Sequence, residues 1–343
     1  MNIAISSIQV PFIKGGAQLM TEGLKSALLS NGHNVEIITI PFKFFPEEDI
    51  KKNIEIWKSQ DFQDFSGYKI DKLISLQFPS YYANHPNKTI WLMHQHRGVY
   101  DLYDKKNENK KSKELKSIIT TNDKTELSKC NSIYSMSQNI SARLKKFNNI
   151  KSTPLYHPPA NENSFFTADE TFDFVFYPSR LETLKRQELL IKAMTYTKTP
   201  IKVIIAGLGG QLKVYEQLIS TLNINHKIRL IGYITDEEKY KYYAHSLAVV
   251  FPPIDEDYGY ITLEAMLSSK AIITCLDSGG PLEFIKNEQT GFVINPNPIE
   301  LAQKLDWIYN NKQKTKQLGQ NALEFYKSKN ITWQNVVNKL MEN

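Results

Sequence analysis

The sequence is poor in cysteine and has no long apolar run. Its 343 residues include only two cysteines, Cys130 and Cys275, without paired spacing, so neither a disulfide framework nor a zinc site is indicated. No stretch approaches the roughly 20 apolar residues that span a bilayer. The first residues lead into Ser6 and Ser7 without a charged leader and a secretory core. These absences predict a cytosolic protein.

The composition predicts that the whole chain folds. Hydrophobic residues make up 41% of the sequence and charged residues 23%, which is ordinary for a globular protein and excludes extensive disorder. A chain of 343 residues is long for one compact core, so two domains with a cleft between them are expected.

The net charge of +6 is unevenly spread, because residues 105–116 are rich in lysine. A run of this kind is usually a solvated surface. The sharper alternative is peripheral contact with an anionic membrane or a lipid-diphosphate acceptor. No aromatic residues are interleaved with these lysines in a stacking pattern, so nucleic acid is not an expected partner. The lysines are Lys105, Lys106, Lys110, Lys111, Lys113 and Lys116.

Short apolar, β-branched runs alternate with helix-like segments such as 186–195 and 212–222. Such alternation is typical of parallel sheets with right-handed helical crossovers. The sequence therefore predicts an α/β fold with two Rossmann-like domains. The predicted strands are 3–5, 35–40, 72–76, 89–93 and 132–135 in the first half, and 172–177, 201–206, 228–231, 247–251, 271–274 and 292–294 in the second.

Domain boundaries are indicated by helix- and strand-breaking residues. Two consecutive prolines within 156–163 block both helix and central strand and predict an interdomain linker. We expect domains over 1–157 and 158–325. From residue 298 the sequence is helical in character, with predicted breaks near Gly319 and at Asn330. Residues 326–343 are expected to form a terminal helix that packs back towards the first domain.

Glycines and basic residues follow several predicted strands of the second half. Ligands of open parallel sheets bind at the carboxyl ends of the strands, and this combination suits a phosphorylated ligand. Arg180 and Lys185 could hold a diphosphate, and fixed cations stabilise a leaving diphosphate more in the transition state than in the ground state. The other candidates after these strands are Gly207, Gly209, Gly232 and Tyr233.

A carboxylate-rich turn runs directly into an apolar helix near residue 259. Glu256 could hold a sugar hydroxyl, and Glu264 could accept hydrogen bonds from ribose hydroxyls. The amino end of the helix could receive phosphate. The alternative is that the acidic turn only favours the helix dipole and that Glu264 is solvated. The candidate ligand contacts at the helix start are Gly259, Tyr260, Ile261 and Thr262.

Together these motifs resemble those of the retaining GT-B glycosyltransferases of family 4. Glu256 and Glu264 match that family's Glu, seven residues, Glu motif. Arg180 and Lys185 match its Arg, four residues, Lys diphosphate clamp. Blocks 204–209, 231–233 and 278–283 also agree. The resemblance implies a GT-B fold, in which two Rossmann-like domains with parallel sheets face a central cleft; residues 1–157 would bind the acceptor and 158–325 the nucleotide sugar.

The first half of the chain resembles the family more loosely. Gly15 and Gly16 lie in a segment, 11–17, that looks like the family's glycine-rich first loop. His94 falls where many relatives place a histidine beside the transferred sugar, with His96 as a competing candidate. Arg186 is a departure, because glycine is common after the clamp lysine; its side chain could narrow the phosphate site or add a third cation.

The resemblance implies a hexosyltransferase-type enzyme that moves a sugar from a nucleotide-diphosphate donor to a glycan or lipid-linked acceptor with retention, as in bacterial surface polysaccharide synthesis. It implies no cofactor and no metal. Asp255 and Asp257 imitate the Asp-x-Asp metal motif of another transferase fold, but here the motif opens a helix. Two alternatives remain: a GT-B sugar-nucleotide epimerase and a catalytically inactive binding or scaffold subunit.

Overall fold

The computed structural model describes residues 1–12, 15–130 and 132–342. The chain forms two compact units, one made of Met1–Ala160 with Thr332–Asn343 and the other of Asn161–Ile331. This division lies about three residues after the boundary proposed from the sequence. In the described residues no helix is long and apolar enough to cross a membrane.

The first unit is built on a six-stranded sheet with helical crossovers. Its strands are β1 (Asn2–Gln9), β2 (Asn34–Pro41), β5 (Lys72–Ser75), β6 (Lys88–Leu92), β7 (Ile133–Ser135) and β8 (Thr153–Pro154), with a small hairpin of β3 (Asp64–Phe65) and β4 (Tyr68–Lys69). The strand order is β2-β1-β5-β6-β7-β8, and neighbouring strands pair in parallel. Its helices are α1 (Gly16–Ser30), α2 (Glu47–Lys58), α3 (Lys110–Ser128), α4 (Gln138–Asn148) and α11 (Trp333–Met341).

The second unit repeats the plan. Its strands are β9 (Phe174–Pro178), β10 (Lys202–Ala206), β11 (Ile228–Leu230), β12 (Ala248–Val250), β13 (Ala271–Cys275) and β14 (Gly291–Ile294). The parallel order is β11-β10-β9-β12-β13-β14, so the chain changes direction across the sheet between β9 and β12. Its helices are α5 (Gln187–Ala193), α6 (Leu212–Thr221), α7 (Asp236–His245), α8 (Tyr260–Leu267), α9 (Pro298–Asn310) and α10 (Lys312–Ser328).

The apolar runs account for these strands. All five residues of β9 and of β13 are buried, as expected of parallel strands covered by helices on both faces. The predicted α/β fold with two parallel sheets is thus confirmed, and each predicted strand range overlaps an observed strand. The structure adds β8 and the hairpin of β3 and β4. These strands have two residues each, too few to produce a periodic pattern.

The predicted helix break near Gly319 is wrong. Helix α10 runs through Gly319, and a Cβ atom there would lie 2.0 Å from the backbone oxygen of Ser269. The glycine is therefore explained by close packing of the helix against the turn after α8. The observed break before α10 is at Asn311, whereas Asn330 does lie between α10 and α11. Residue 326, the expected start of the terminal segment, falls inside α10.

Helix α11 is anchored in the first unit. The ring of Trp333 lies 6.3 Å from the ring of Trp91 and 5.6 Å from that of His157, measured between centroids. The Tyr134 hydroxyl donates a hydrogen bond to the Lys339 carbonyl at 3.1 Å. These contacts attach the last helix to β6, β7 and the end of the first unit.

Candidate functional site

Two segments of the second unit meet at the point where its strand order reverses. Lys185 follows β9 and Glu256 follows β12, and open α/β sheets bind ligands at this point. The Lys185 ammonium lies 2.6 Å from Oε2 of Glu256, and both side chains are about four-fifths buried, at 18% and 21% exposure. The structure therefore brings together the predicted clamp lysine and the first glutamate of the helix motif.

Arg180, the other clamp residue, is exposed. Its carbonyl accepts a hydrogen bond from Nε2 of Gln187 at 2.8 Å, which ties the loop to α5. Within the described ranges its guanidinium makes no hydrogen bond and no ion pair. Arg180 thus presents an uncompensated positive charge with five N–H donors, a group suited to phosphate oxygens.

The glycines after β10 bring two loops together. A Cβ atom at Gly207 would lie 2.0 Å from the Ser179 oxygen, and one at Gly209 would lie 2.3 Å from the Leu181 oxygen. The Leu181 amide donates to the Leu208 carbonyl at 2.9 Å. Close packing between the loops explains both glycines without a ligand, and it also fixes the backbone beside Arg180.

Gly232 and Tyr233 lie in the loop after β11, beside the loops that follow β9 and β10. Gly232 has a φ of +69°, and its carbonyl accepts a hydrogen bond from the Gly207 amide at 2.7 Å. Tyr233 is 76% exposed. An exposed aromatic ring on a glycine turn offers a flat surface on which a nucleobase could stack.

Helix α8 begins in a left-handed turn at Gly259. The φ of this residue is +90°, and a Cβ atom would lie 2.9 Å from Cγ of Pro281, so both conformation and space require glycine. Tyr260 and Ile261 are half-buried. Thr262 is fully buried and its amide donates to the Gly259 carbonyl at 2.9 Å, so the structure does not place this predicted contact at the surface of the unit.

Glu264 is held in place rather than solvated, which contradicts the alternative interpretation. The Tyr243 hydroxyl donates to Oε2 at 2.7 Å, and the Lys239 ammonium lies 3.4 Å from Oε1. The Glu264 side chain is 12% exposed. Burial, followed by the charge of Glu264, raises the pKa of Tyr243 well above its usual range, so the tyrosine stays a donor. Lone pairs of the carboxylate remain for ligand hydroxyls.

Arg186 does not add a free cation beside the clamp lysine. It has a left-handed conformation, with φ 59° and ψ 37°, and its guanidinium pairs with both oxygens of Asp277 at 2.9 and 2.7 Å. Burial lowers the pKa of Arg186, but the hydrogen bonds and charge of Asp277 outweigh burial and the pKa is raised. Asp277 carries no signal in the sequence, because it lies 91 residues from Arg186 and belongs to no motif.

The Arg186–Asp277 pair braces the loop that carries Glu256. The Asp277 carbonyl accepts from the Asp255 amide at 2.8 Å, and the Ser278 carbonyl accepts from the Glu256 amide at 2.9 Å. The segments after β9, β12 and β13 are therefore joined by the Arg186–Asp277 and Lys185–Glu256 ion pairs and by backbone hydrogen bonds.

We expect Arg186→Gly to be more stable than Arg186→Ala by about 1 kcal/mol, since both lose the ion pair but only glycine relieves the left-handed backbone. The measurement is the free energy of unfolding in urea. Gly210 offers a matched control, because no atom lies within 4 Å of its Cβ position and its φ is not positive. Gly210→Ala should not show the penalty, and equal stability of the two Arg186 variants would contradict the assigned strain.

In the first unit the structure distinguishes the two candidate histidines. Nδ1 of His94 lies 2.8 Å from the Gln95 carbonyl and donates to it in the tautomer that carries the hydrogen on Nδ1. Nε2 of His94 makes no hydrogen bond among the described residues. His96 packs against Phe78 and Phe44, with ring centroids 5.0 and 6.4 Å away. Burial, and then the nearby His94, lowers the pKa of His96 to about 4. His94 is thus the better placed to meet a ligand.

Gly15 is the N-cap of α1, and Gly16 is the first residue of that helix. The φ of Gly15 is −164°, an extended conformation open to any residue, and a Cβ atom there would lie within 4 Å of no atom that the structure describes. The fold of the unit therefore does not require glycine at position 15. Ile13 and Lys14, which belong to the same predicted loop, lie outside the described residues.

Nearby carboxylates and a tyrosine ring compensate part of the positive charge of the lysine-rich stretch 105–116. The Lys111 ammonium lies 2.8 Å from Glu48, Lys113 lies 3.0 Å from Glu108, and Lys116 lies 3.8 Å from the centroid of the Tyr103 ring. The lysines of this stretch whose ammonium groups make no hydrogen bond, ion pair or ring contact within the described part of the chain are Lys105, Lys106 and Lys110.

The acidic run Asp255–Asp257 imitates a metal-binding motif. In residues 1–12, 15–130 and 132–342, no group of three or more His, Cys, Asp or Glu residues could hold a metal ion. Glu256, at the centre of the run, is paired with the Lys185 ammonium.

The second unit of the chain is similar in sequence to known glycosyltransferases. Residues 161–325 match the family model described as Glycosyl transferases group 1. An uncharacterised glycosyltransferase of Methanocaldococcus jannaschii is 31% identical over 137 residues, which are 39% of this chain and 35% of the relative. The N-acetylgalactosamine-N,N'-diacetylbacillosaminyl-diphospho-undecaprenol 4-alpha-N-acetylgalactosaminyltransferase of Campylobacter jejuni is 28% identical over 153 residues, 42% of this chain and 41% of the relative. The chain thus spans about two fifths of these curated relatives.

Solved structures share the fold over nearly the whole chain. Sucrose-phosphate synthase from Thermosynechococcus elongatus has a TM-score of 0.79 at 19% identity, covering 99% of this chain and 97% of the other. HepE from Anabaena, in complex with UDP and glucose, has a TM-score of 0.72 at 17% identity and covers 99% of each chain. The fold is therefore that of the GT-B glycosyltransferases.

Proposed function

We propose that the protein transfers a sugar from a nucleotide-diphosphate donor to an acceptor hydroxyl. The premise is that the chain belongs, through residues 161–325, to the glycosyl transferases group 1 family. The observation that carries the proposal is the Lys185–Glu256 pair at the reversal of the strand order, with the free guanidinium of Arg180 on the same loop. Two cations and a carboxylate suit a diphosphate joined to a sugar.

The donor would bind along the row of loops in the second unit. Arg180 and Lys185 hold the diphosphate, Glu256 accepts a hydrogen bond from the donor sugar, and Glu264 accepts from the ribose. Tyr233 lies against the base. This assignment is supported by the fixed position of the Glu264 carboxylate, which keeps lone pairs for hydroxyl donors. The other assigned contacts on these loops are Gly207, Gly209, Gly232, Gly259, Tyr260 and Ile261.

The reaction would retain the anomeric configuration. As the bond to the diphosphate breaks, positive charge grows on the sugar and negative charge on the leaving oxygens, where Arg180 and Lys185 stabilise it. The acceptor hydroxyl attacks from the face that the diphosphate leaves, and a diphosphate oxygen takes its proton. Because these two cations neutralise the leaving group, the step needs no metal ion.

The acceptor is proposed to be a glycan or a lipid-linked glycan of a bacterial surface polysaccharide pathway. The Campylobacter relative carries an undecaprenol diphosphate acceptor in its name, which supports this class. His94 of the first unit, with its free Nε2, and the Gly15–Gly16 turn are assigned to the reacting groups. Contact with an anionic membrane would use Lys105, Lys106 and Lys110 on the cytosolic side.

A donor panel tests the function. We expect one of UDP, GDP, dTDP and ADP, with its sugar conjugates, to raise the unfolding midpoint by mass action, and we expect EDTA to leave that shift unchanged. Glu264→Gln should weaken the same nucleotide by about 10- to 100-fold, because a hydrogen bond to a charged group contributes about 1.5–3 kcal/mol. Tyr243→Phe keeps the carboxylate but removes the hydroxyl that holds it, so it should weaken the nucleotide less than Glu264→Gln does.

Product analysis separates the alternatives. A transferase forms a glycosylated product only when acceptor is present, an epimerase converts its donor without one, and an inactive subunit does neither. No midpoint shift from any nucleotide, or a shift that EDTA abolishes, would contradict the proposed metal-independent transfer.

A further inference from the structure

A cavity lies at the edge of the second sheet opposite to the donor loops. It has a volume of about 410 Å³ and is lined by Leu247 and Lys270, which directly precede β12 and β13, and by side chains of α10. The donor loops follow the same strands at their carboxyl ends. Helix α8 runs between the two regions, with Gly259 at its amino end and Ser268 at its carboxyl end.

The cavity contains a buried cation without a partner. Lys270 is only 5% exposed, and in the described part of the chain its ammonium makes no hydrogen bond and no ion pair. Burial, and then repulsion from Lys316, lowers the pKa of Lys270 to about 8. Ser268, fully buried in the same wall, has a hydroxyl for which the described residues supply no hydrogen-bond partner. A largely buried ammonium that faces a cavity without a carboxylate partner favours an anion there.

The surrounding charges favour a dianion. The Lys316 ammonium lies 3.6 Å from Asp169, but that carboxylate is fully exposed, so the pair is weak and exchangeable. Lys312 pairs with Asp173. Lys270 and Lys316 are therefore the two cations that an incoming group could meet together, and a phosphate dianion can engage both, whereas a carboxylate carries charge for one.

The volume of the cavity indicates how large its ligand can be. A cavity of about 410 Å³ is larger than a phosphate ion needs, and Leu247 and Leu323 provide an apolar wall beside the polar groups. We propose that this cavity, with Lys270 and Lys316 as its anion-binding groups, binds the phosphate monoester of a small polar metabolite. The site is independent of the donor loops and of the transfer reaction.

The test measures the unfolding midpoint of the full chain in Hepes at constant ionic strength, with glucose 6-phosphate and inorganic phosphate as probes and glucose as the uncharged control. We expect both phosphates, but not glucose, to raise the midpoint by several degrees at saturation. Lys270→Met should raise the apparent dissociation constant at least about tenfold. Lys316→Met should weaken binding in the same direction.

Two further variants locate the bound phosphate. Lys314→Met removes the same charge from α10 at a position that does not line the cavity, and it should keep the shift. Lys185→Ala should also keep it. A shift lost in Lys185→Ala but kept in Lys270→Met would place the phosphate at the donor loops and overturn the proposal, as would no shift in the unaltered protein. If Lys270→Met does not fold, the exposed Lys316 decides: an unchanged shift in Lys316→Met overturns the proposal.

Discussion

Replacing Lys185 by alanine is expected to lower turnover by about 100- to 1,000-fold, which corresponds to about 3–4 kcal/mol for one preorganised group that stabilises developing charge. Arg180→Ala should lower turnover in the same range. Both changes remove a cation from the proposed diphosphate site. The measurement is the rate of nucleoside diphosphate release, with the donor that the nucleotide panel identifies, in the presence and absence of acceptor.

The two variants should differ in stability. Arg180 is exposed and its guanidinium has no partner among the described residues, so its loss should leave the unfolding midpoint unchanged. Lys185→Ala leaves the largely buried carboxylate of Glu256 without its 2.6 Å partner and should lower the midpoint as well. Matched controls are Arg229→Ala on β11 and Lys192→Ala on α5, both of which should keep full turnover. Wild-type turnover in the Arg180 and Lys185 double variant would remove the clamp from the mechanism.

Prediction from the sequence is weakest for pairs of site residues that lie far apart along the chain. The apolar runs of β9 and β13 predict buried parallel strands by themselves, because local composition decides that both faces are covered. The Lys185–Glu256 and Arg186–Asp277 pairs join residues 71 and 91 positions apart. Such pairing depends on the strand order, and the order across the sheet is a tertiary property that no local pattern contains.

Two glycines also show that tertiary packing, which local sequence does not contain, determines a residue type. Gly319 was expected to interrupt a helix, because glycine lowers helix propensity, but α10 continues and the missing side chain admits the backbone of Ser269. Gly207 is a proposed ligand contact, and a Cβ atom there would overlap the Ser179 carbonyl, so packing already requires glycine at this position. At both positions tertiary packing determines the residue. At Gly15, by contrast, no atom of the described residues lies within 4 Å of the Cβ position, so its role as a ligand contact rests on the resemblance to relatives.

Glu256→Gln is expected to lower turnover by about 10- to 150-fold with little change in side-chain volume, since it removes the charge that accepts a hydrogen bond from the donor sugar. The same change releases Lys185 from its ion pair. Nucleotide affinity without the sugar should then stay the same or rise, because the freed ammonium can turn fully to the diphosphate. The measurement compares turnover with the dissociation constants of the nucleoside diphosphate and of the nucleotide sugar.

A double-variant cycle with Lys185→Ala decides whether the two residues act as one unit. If the pair works together, the combined variant should lose much less than the product of the two single losses, because each single change already breaks the same contact. Asp257→Asn, on the same acidic turn, is the control for a general loss of negative charge. Equal loss in Asp257→Asn and Glu256→Gln would mean that the turn acts through its net charge, and Glu256 would then lose its assigned contact with the sugar.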